Sequence, residues 1–258
     1  DDSRTLVSGS SDRTVKVWDV PKFILLKSFK HTESIRDVAI NKNLVVSCDN
    51  DLRVKLWDIT KDSAIATTAL SDDIWYVAIS PDQEFIAASA KDSLIIFFNK
   101  QLKVTEIVEN KAEPGRLVFS KDSRKLMATQ GELVGDCNIY YYKKKWKLFS
   151  QFPTHIGISM AGVFLNENMV VSAGGQAREL VFWGWNEDGI PNDSILVTSG
   201  YGQYMNTCSL RGNKIYFSTY ILDTIPTTSF DLCTHEIDTN IQYAYPYKLH
   251  TRQNEYEL

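Results

Sequence analysis

At 258 residues the chain can bury roughly three quarters of its unfolded surface, enough for one large all-β domain or two small domains. Hydrophobic residues make up 43% and charged residues 23%, which excludes a disordered or fibrous chain. A formal charge of −4, from 28 Lys and Arg against 32 Asp and Glu, supplies no global basic field to draw in nucleic acid or anionic lipid.

No apolar stretch approaches the roughly 20 residues needed to cross a bilayer, and the acidic opening DDSRTLVS is neither a signal nor a transit peptide. Cys48, Cys137, Cys208 and Cys233 are far apart and form no Cys-x-x-Cys pair, so they read as buried free thiols rather than a metal clip. Together these features point to a reducing, intracellular setting, the cytoplasm first. The chain lacks an initiator Met and opens inside a repeat, so it reads as a fragment of a longer protein.

In chain order, SSDRTVKVWDV (10–20) is followed by DNDLRVKLWDI (49–59) and AKDSLIIFFNK (90–100), each with an Asp six residues before an aromatic: Asp12 and Trp18, Asp51 and Trp57, Asp92 and Phe98. A fourth copy, GDCNIYYYKKK (135–145), keeps Asp136 and ends on Tyr142; a fifth, QARELVFWGWN (176–186), keeps Trp183 but has Ala177 for the Asp; a sixth ends at Phe230 and Asp231. The anchors 18, 57, 98, 142, 183 and 230 are spaced by 39, 41, 44, 41 and 47 residues. Within each copy the residues alternate as in strands, Val15 and Val17 against Lys16 and Trp18. Turn residues recur at one phase, at Asn41-Lys42-Asn43, Ser80-Pro81-Asp82, Ser120-Lys121-Asp122, Asn166-Glu167-Asn168 and Arg211-Gly212-Asn213. Each unit is therefore expected to hold about four short strands.

These repeats resemble the WD-repeat β-propeller family, whose units carry a His, a Ser in the second strand, a turn Asp and a closing Trp-Asp. The second unit shows the pattern with His31, Ser47, Asp51, Trp57 and Asp58, and the first with Asp12 and Trp18; the fifth has His155, Ser172 and Trp183 without the Asp. The resemblance implies that His31, Ser47, Asp51 and Trp57 form a structural hydrogen-bonded chain, incomplete in the fifth unit. The expected fold is an all-β propeller, one domain over 1–258 with units near 1–30, 31–70, 71–109, 110–154, 155–198 and 199–247. Its first blade lacks an innermost strand. Either residues 248–258 close a six-bladed ring, or they begin another blade of a seven-bladed or larger array.

Catalytic signatures are absent: no phosphate-binding Gly-rich loop, no His-Glu-x-x-His, no Gly-x-Ser-x-Gly and no paired-Cys zinc pattern. His235 and His250 stand alone, so no catalytic residue, cofactor or metal is expected. Lys143, Lys144 and Lys145 beside Tyr140, Tyr141, Tyr142 and Trp146 are the one local hint of nucleic acid. Three charges in a net acidic chain are a small electrostatic term, and the simpler reading is strand aromatics around a solvated turn.

In similar propellers peptides dock at the mouth of the central channel, on one residue early in each innermost strand and one before each turn Asp. Carried over, the first set is Arg36, Trp75, Gly115, Met160 and Met205, and the second is Ser11, Asn50, Lys91, Gly135 and Gln176. An aromatic, flexible thioethers and an Arg are residue types that anchor protein interfaces; the alternative is that Trp75 and the methionines are blade core. This mouth offers Arg36 and Lys91 but no acid or His. The polar loop GWNEDGIPNDS (184–194) with Trp185, and the long segment 218–230, are further candidates for specificity. The resulting expectation is a non-catalytic scaffold for an unidentified protein or peptide partner, with a propeller hydrolase and a nucleic-acid-associated subunit as alternatives, and no membrane partner.

Overall fold

The computed structural model describes residues 4–110, 112–130, 134–156, 159–174, 179–192, 195–198, 204–211, 214–221 and 229–236. Their regular structure is all strand, in antiparallel sheets whose neighbours in sequence are neighbours in the sheet. The first sheet has β1 (Thr5–Gly9), β2 (Thr14–Asp19) and β3 (Ile24–Lys30); the second has β4 (Ile35–Asn41), β5 (Leu44–Asp49), β6 (Arg53–Asp58) and β7 (Ala64–Ala69). The third has β8 (Ile74–Ile79), β9 (Ile86–Ala90), β10 (Leu94–Phe98) and β11 (Val104–Glu109); the fourth has β12 (Pro114–Phe119), β13 (Lys125–Gln130), β14 (Val134–Tyr142) and β15 (Trp146–Ile156). The fifth has β16 (Ser159–Asn166), β17 (Met169–Gly174), β18 (Glu179–Gly184) and β19 (Ile195–Thr198); the sixth has β20 (Tyr204–Arg211), β21 (Lys214–Ile221) and β22 (Ser229–Glu236). Four-stranded antiparallel meanders of this kind are the blades of a propeller. Residues 248–258, read as a closing strand or a further blade, lie outside the described residues.

Several hairpin turns hold one non-glycine residue in the left-handed region. Arg13, Leu52 and Ser93, each following a turn Asp, have φ of 69°, 58° and 60°. Lys42, Gln83 and Ser123 take φ of 52°, 65° and 62° in the turns after β4, β8 and β12. Asp82 and Asp122 fix two of these turns by accepting from the main-chain N–H two residues on, both at 2.9 Å.

The chain divides into two compact units, residues 1–126 with 141–147 and residues 127–140 with 148–258. In the first unit β5 is buried on both faces, and β6 buries Val54, Leu56 and Trp57. Val45 and Trp57 pack with Val15, Val17 and Phe29 of the first sheet, whereas Val46, Cys48, Val54 and Leu56 pack with Ile74, Val77, Ile86 and Phe98 of the third. The period of two therefore assigns alternate residues of one strand to two different cores. Small side chains permit the close stacking: a Cβ on Gly9 would lie 2.5 Å from Ile35 Cγ2, and every residue of β9 (IAASA) is buried. In the second unit Ala161, Val171, Ala173, Leu180 and Phe182 of the fifth sheet pack with Ile215 of the sixth.

Candidate partner-binding site

In four of the innermost strands, β4, β8, β16 and β20, the pairing is broken once near the start. Ile35 faces Asp49 and Asp37 faces Cys48, so Arg36 is the extra residue of a bulge. Trp75 is skipped in the same way between Ile74 and Tyr76, and Met160 between Ser159 and Ala161. A bulge bends its strand and redirects the unpaired side chain, which suits it to carry a surface site. In β20 the skipped residue is Asn206, between Met205 and Thr207. There Met205 pairs with Thr219 as Ile35 pairs with Asp49. The Met160 and Met205 side chains, and Gln176, lie outside the described residues.

Antiparallel pairing puts the start of each innermost strand beside the turn between its second and third strands, which brings Arg36, Asn50, Trp75 and Lys91 to one end of the second and third sheets. Arg36 Nε donates to Asn50 Oδ1 at 2.6 Å and Nη2 donates to Asp73 Oδ1 at 3.3 Å. The same guanidinium lies 4.0 Å above the Trp75 ring. Trp75 is 37% exposed, so it is surface and not blade core. Arg36, Asn50, Trp75 and Tyr76 line an open cavity of about 440 Å³. Arg116 sits over the Tyr76 ring at 5.2 Å, and the Lys91 N–H donates to the Asp73 carbonyl at 2.9 Å.

Asp73, Tyr76 and Arg116 were invisible to the repeat pattern, because it marks one place per strand and one per turn. Asp73 also corrects the expectation that this end carries no acid: it lies two residues before Trp75 and pairs with Arg36. Beneath the surface, Asp37 accepts from the Val77 N–H at 3.0 Å, and burial raises its pKa above the usual carboxylate range.

Under this end the second sheet holds a buried polar chain. Trp57 Nε1 donates to Ser47 Oγ at 2.8 Å, Ser47 Oγ is 2.7 Å from His31 Nε2, and His31 Nδ1 is 2.7 Å from Asp49 Oδ2. Asp49 Oδ1 accepts from the N–H groups of Asp51 and Arg53 at 3.0 and 3.1 Å. One tautomer satisfies every member: the indole donates to Ser47, the hydroxyl donates to Nε2, and Nδ1–H donates to Asp49. Burial holds the His31 pKa below 6.5 despite the Asp49 bond, which matches this neutral imidazole.

The carboxylate in the chain is therefore Asp49 and not Asp51. Ser47 and Asp49 share a face of β5, whereas at Asp51 the chain has left the strand for the turn. Asp51 is exposed, accepts from Thr32 Oγ1 at 3.2 Å and lies 3.3 Å from Arg53 Nε. In the first sheet Trp18 Nε1 donates to Ser8 Oγ at 2.9 Å. Asp12 there caps its own turn, accepting from Thr14 N and Oγ1 and from Lys16, bonds that bring its pKa down to about 2.

The WD domain, G-beta repeat family matches residues 1–19, 23–58 and 65–99. Residues 1–99 are WD repeats. WD repeats generally mediate protein–protein interactions. No curated protein matches the chain.

Beyond these three WD repeats several expected features change character. Gly135 and Asp136, read as turn residues, lie within the nine-residue strand β14, where Asp136 accepts from Gln151 Nε2 at 2.7 Å. Gly115 is buried in β12. His155 ends β15 one residue before its close, and its side chain lies outside the described residues. The lysine turn is a solvated bend: Lys143, Lys144 and Lys145 are exposed, while Trp146 is buried and stacked on Phe97 at 4.5 Å. Lys144, Lys145 and Arg124 share an open cleft of about 560 Å³ with Asp82, Glu84 and Glu106. That mixed lining is a poor match for a polyanion.

The loop after β18 is pinned and not free. Trp185 is buried against Trp183, Phe149 and Phe164, and Asn186 Oδ1 accepts from the N–H groups of Asp188 and Ile190. Gly189 has φ of 78°, and a Cβ there would meet Phe149 O at 2.2 Å. Residues 222–228 of the other long segment lie outside the described residues. No described residues form a group of three His, Cys, Asp or Glu placed to hold a metal, and no described helix is long and apolar enough to cross a membrane.

Proposed function

We propose that the chain is a non-catalytic scaffold that binds a peptide or protein partner on the surface of Arg36, Asn50, Trp75 and Lys91. The observation that carries the reading is Trp75, a large aromatic left 37% exposed at a bulge and propped by Arg36 over an open cavity. Exposed Trp and Arg next to a concavity are the residue types that concentrate binding energy in protein interfaces. The bulge gives Trp75 no partner across the ladder, and the strands beside it hold it on a rigid frame.

A hydrolase is the weaker reading, since Asp73 is already engaged by Arg36 and no His joins it in the cavity lining. Cys48 and Cys208 are free thiols, which suits work in a reducing, intracellular compartment.

The test is Trp75→Ala beside the intact chain in affinity capture, with thermal melting of both. Partners retained by the intact chain are expected to be lost by the variant, while the melting temperature stays within about 3 °C. Capture that persists unchanged, or a collapse in melting temperature, sinks the reading.

A further inference from the structure

We propose that the partner presents an acidic side chain, Asp or Glu, whose carboxylate is bound by Arg36 while a neighbouring apolar side chain packs on Trp75. This rests on the reading of the surface as the partner site.

A guanidinium has five N–H donors in a fixed fork. Arg36 uses one on Asn50 at 2.6 Å and one on Asp73 at 3.3 Å, which leaves three without a partner among the described residues. The group is held in place before any ligand arrives, by Asn50 at its Nε edge and by the Trp75 ring beneath it at 4.0 Å. Its side chain is 19% exposed and lines the cavity. Little rotamer entropy remains to be lost on binding, and that preorganisation is what separates a receptor from an ordinary surface arginine.

Two further observations give the ligand its sign. Lys91 is exposed and makes no ion pair among the described residues, and its main chain is fastened to Asp73. The Asp73 contact, at 3.3 Å, is long for a charge-assisted bond, which normally falls at about 2.7–2.9 Å. Asp73 therefore behaves as a weak internal occupant that a better-placed carboxylate can outcompete.

The net charge also selects among anions. Asp73 offsets part of the Arg36 charge, and Asp92 follows Lys91 directly, so the site meets one unit of negative charge better than the nearly two of a phosphate monoester. Trp75, the unpaired residue of the bulge, and Tyr76 beside it supply apolar surface in the cavity lining, which defines the acid-plus-apolar pair.

The experiment selects a displayed random 12-residue peptide library on the intact chain. Enriched peptides are then synthesised in three forms: as selected, with the acid changed to its amide, and with phosphoserine in its place. Enrichment of an acid beside an apolar residue is expected, with the amide form binding about tenfold more weakly to the intact chain and less than about twofold more weakly to R36Q. D73N is expected to bind the acidic form a few fold more tightly, because the competing carboxylate is gone. Thermal melting of R36Q and D73N within about 3 °C of the intact chain shows that the fold is kept.

Peptides that need Trp75 but show no acid overturn this inference and leave the surface reading standing. Tighter binding of the phosphoserine form overturns the choice of carboxylate. Peptides indifferent to both W75A and R36Q overturn the inference and the surface reading together.

Discussion

The second and fifth sheets carry the same kind of Trp in two different electrostatic settings. In the second, Trp57 stacks on Phe29 at 4.6 Å and its indole N–H opens a chain through Ser47, His31 and Asp49 in which every group is satisfied. In the fifth, Trp183 stacks on Phe152 at 5.2 Å, yet its buried Nε1 has no hydrogen-bond partner among the described residues. By register Ser172 stands in the place of Ser47: Trp183 faces Val170 as Trp57 faces Val45, and each Ser lies two residues on. Stacking alone is thus enough to seat the Trp, whereas the polar chain adds the ties that hold a turn to a strand. The third sheet solves the same position without polarity, with Phe98 for the Trp and Ala88 for the Ser.

The contrast is broken most forcefully at Asp49. Asp49→Ala leaves the buried His31 Nδ1–H and two part-buried turn N–H groups without their acceptor and is expected to cost about 3–5 kcal/mol in all. Asp51→Ala removes only exposed contacts and is expected to cost under about 1 kcal/mol. Urea unfolding of both variants checks this, and equal losses would return Asp51 to the chain.

The next effect compares the two tryptophans. Trp57→Phe strips a satisfied N–H from Ser47 and is expected to cost about 1–3 kcal/mol, while Trp183→Phe has no such bond to lose and should stay within about 1 kcal/mol of the parent. Paired denaturation curves decide it; a larger loss at Trp183 would show a bond there.

A third prediction concerns pH. The folded pKa of His31 lies below the ordinary 6.5, so the unfolded chain takes up the proton first. The stabilisation is fully present above about pH 6.5 and is lost as pH falls toward the folded value, with a slope of at most about 1.4 kcal/mol per pH unit. Stability measured between pH 7.5 and 5 should fall in the parent, and His31→Gln should flatten that fall about its lower baseline. An unchanged slope in the variant would assign the pH dependence to another group. The smallest effect is expected at Ser8→Ala, where the part-buried bond to Trp18 is worth about 1 kcal/mol or less, again by denaturation.

Repeat spacing made the blades legible because each unit reuses the same alternation and the same turns. It put Arg36 and Trp75 early in their strands; the register then makes each the unpaired residue of a bulge. It held no signal for the bulges themselves, whose unpaired residue in β20 is Asn206. It also chose Asp51 over Asp49. The acid at position 49 has no counterpart in the neighbouring repeats, where Ser10 and Ala90 stand instead, so a pattern built from common positions passes over it. Gly135 and Asp136 were misread because β14 runs longer than its counterparts and takes in residues that are turns elsewhere.

The amino-acid order by itself determined the all-β class, the period near forty residues, the WD repeats at the start of the chain, and which strand faces are apolar. These follow from local rules, alternation and turn chemistry, that act over a few residues. Tertiary structure alone decided which carboxylate enters the buried chain, which side chains meet around Arg36, and that Trp75 is exposed while Trp185 is buried. Each of those depends on pairing register and sheet stacking, which bring together residues 14 to 40 positions apart, such as Arg36 with Asn50 and Asp37 with Val77. A one-residue shift in register turns a side chain from one face to the other, and no local signal records it.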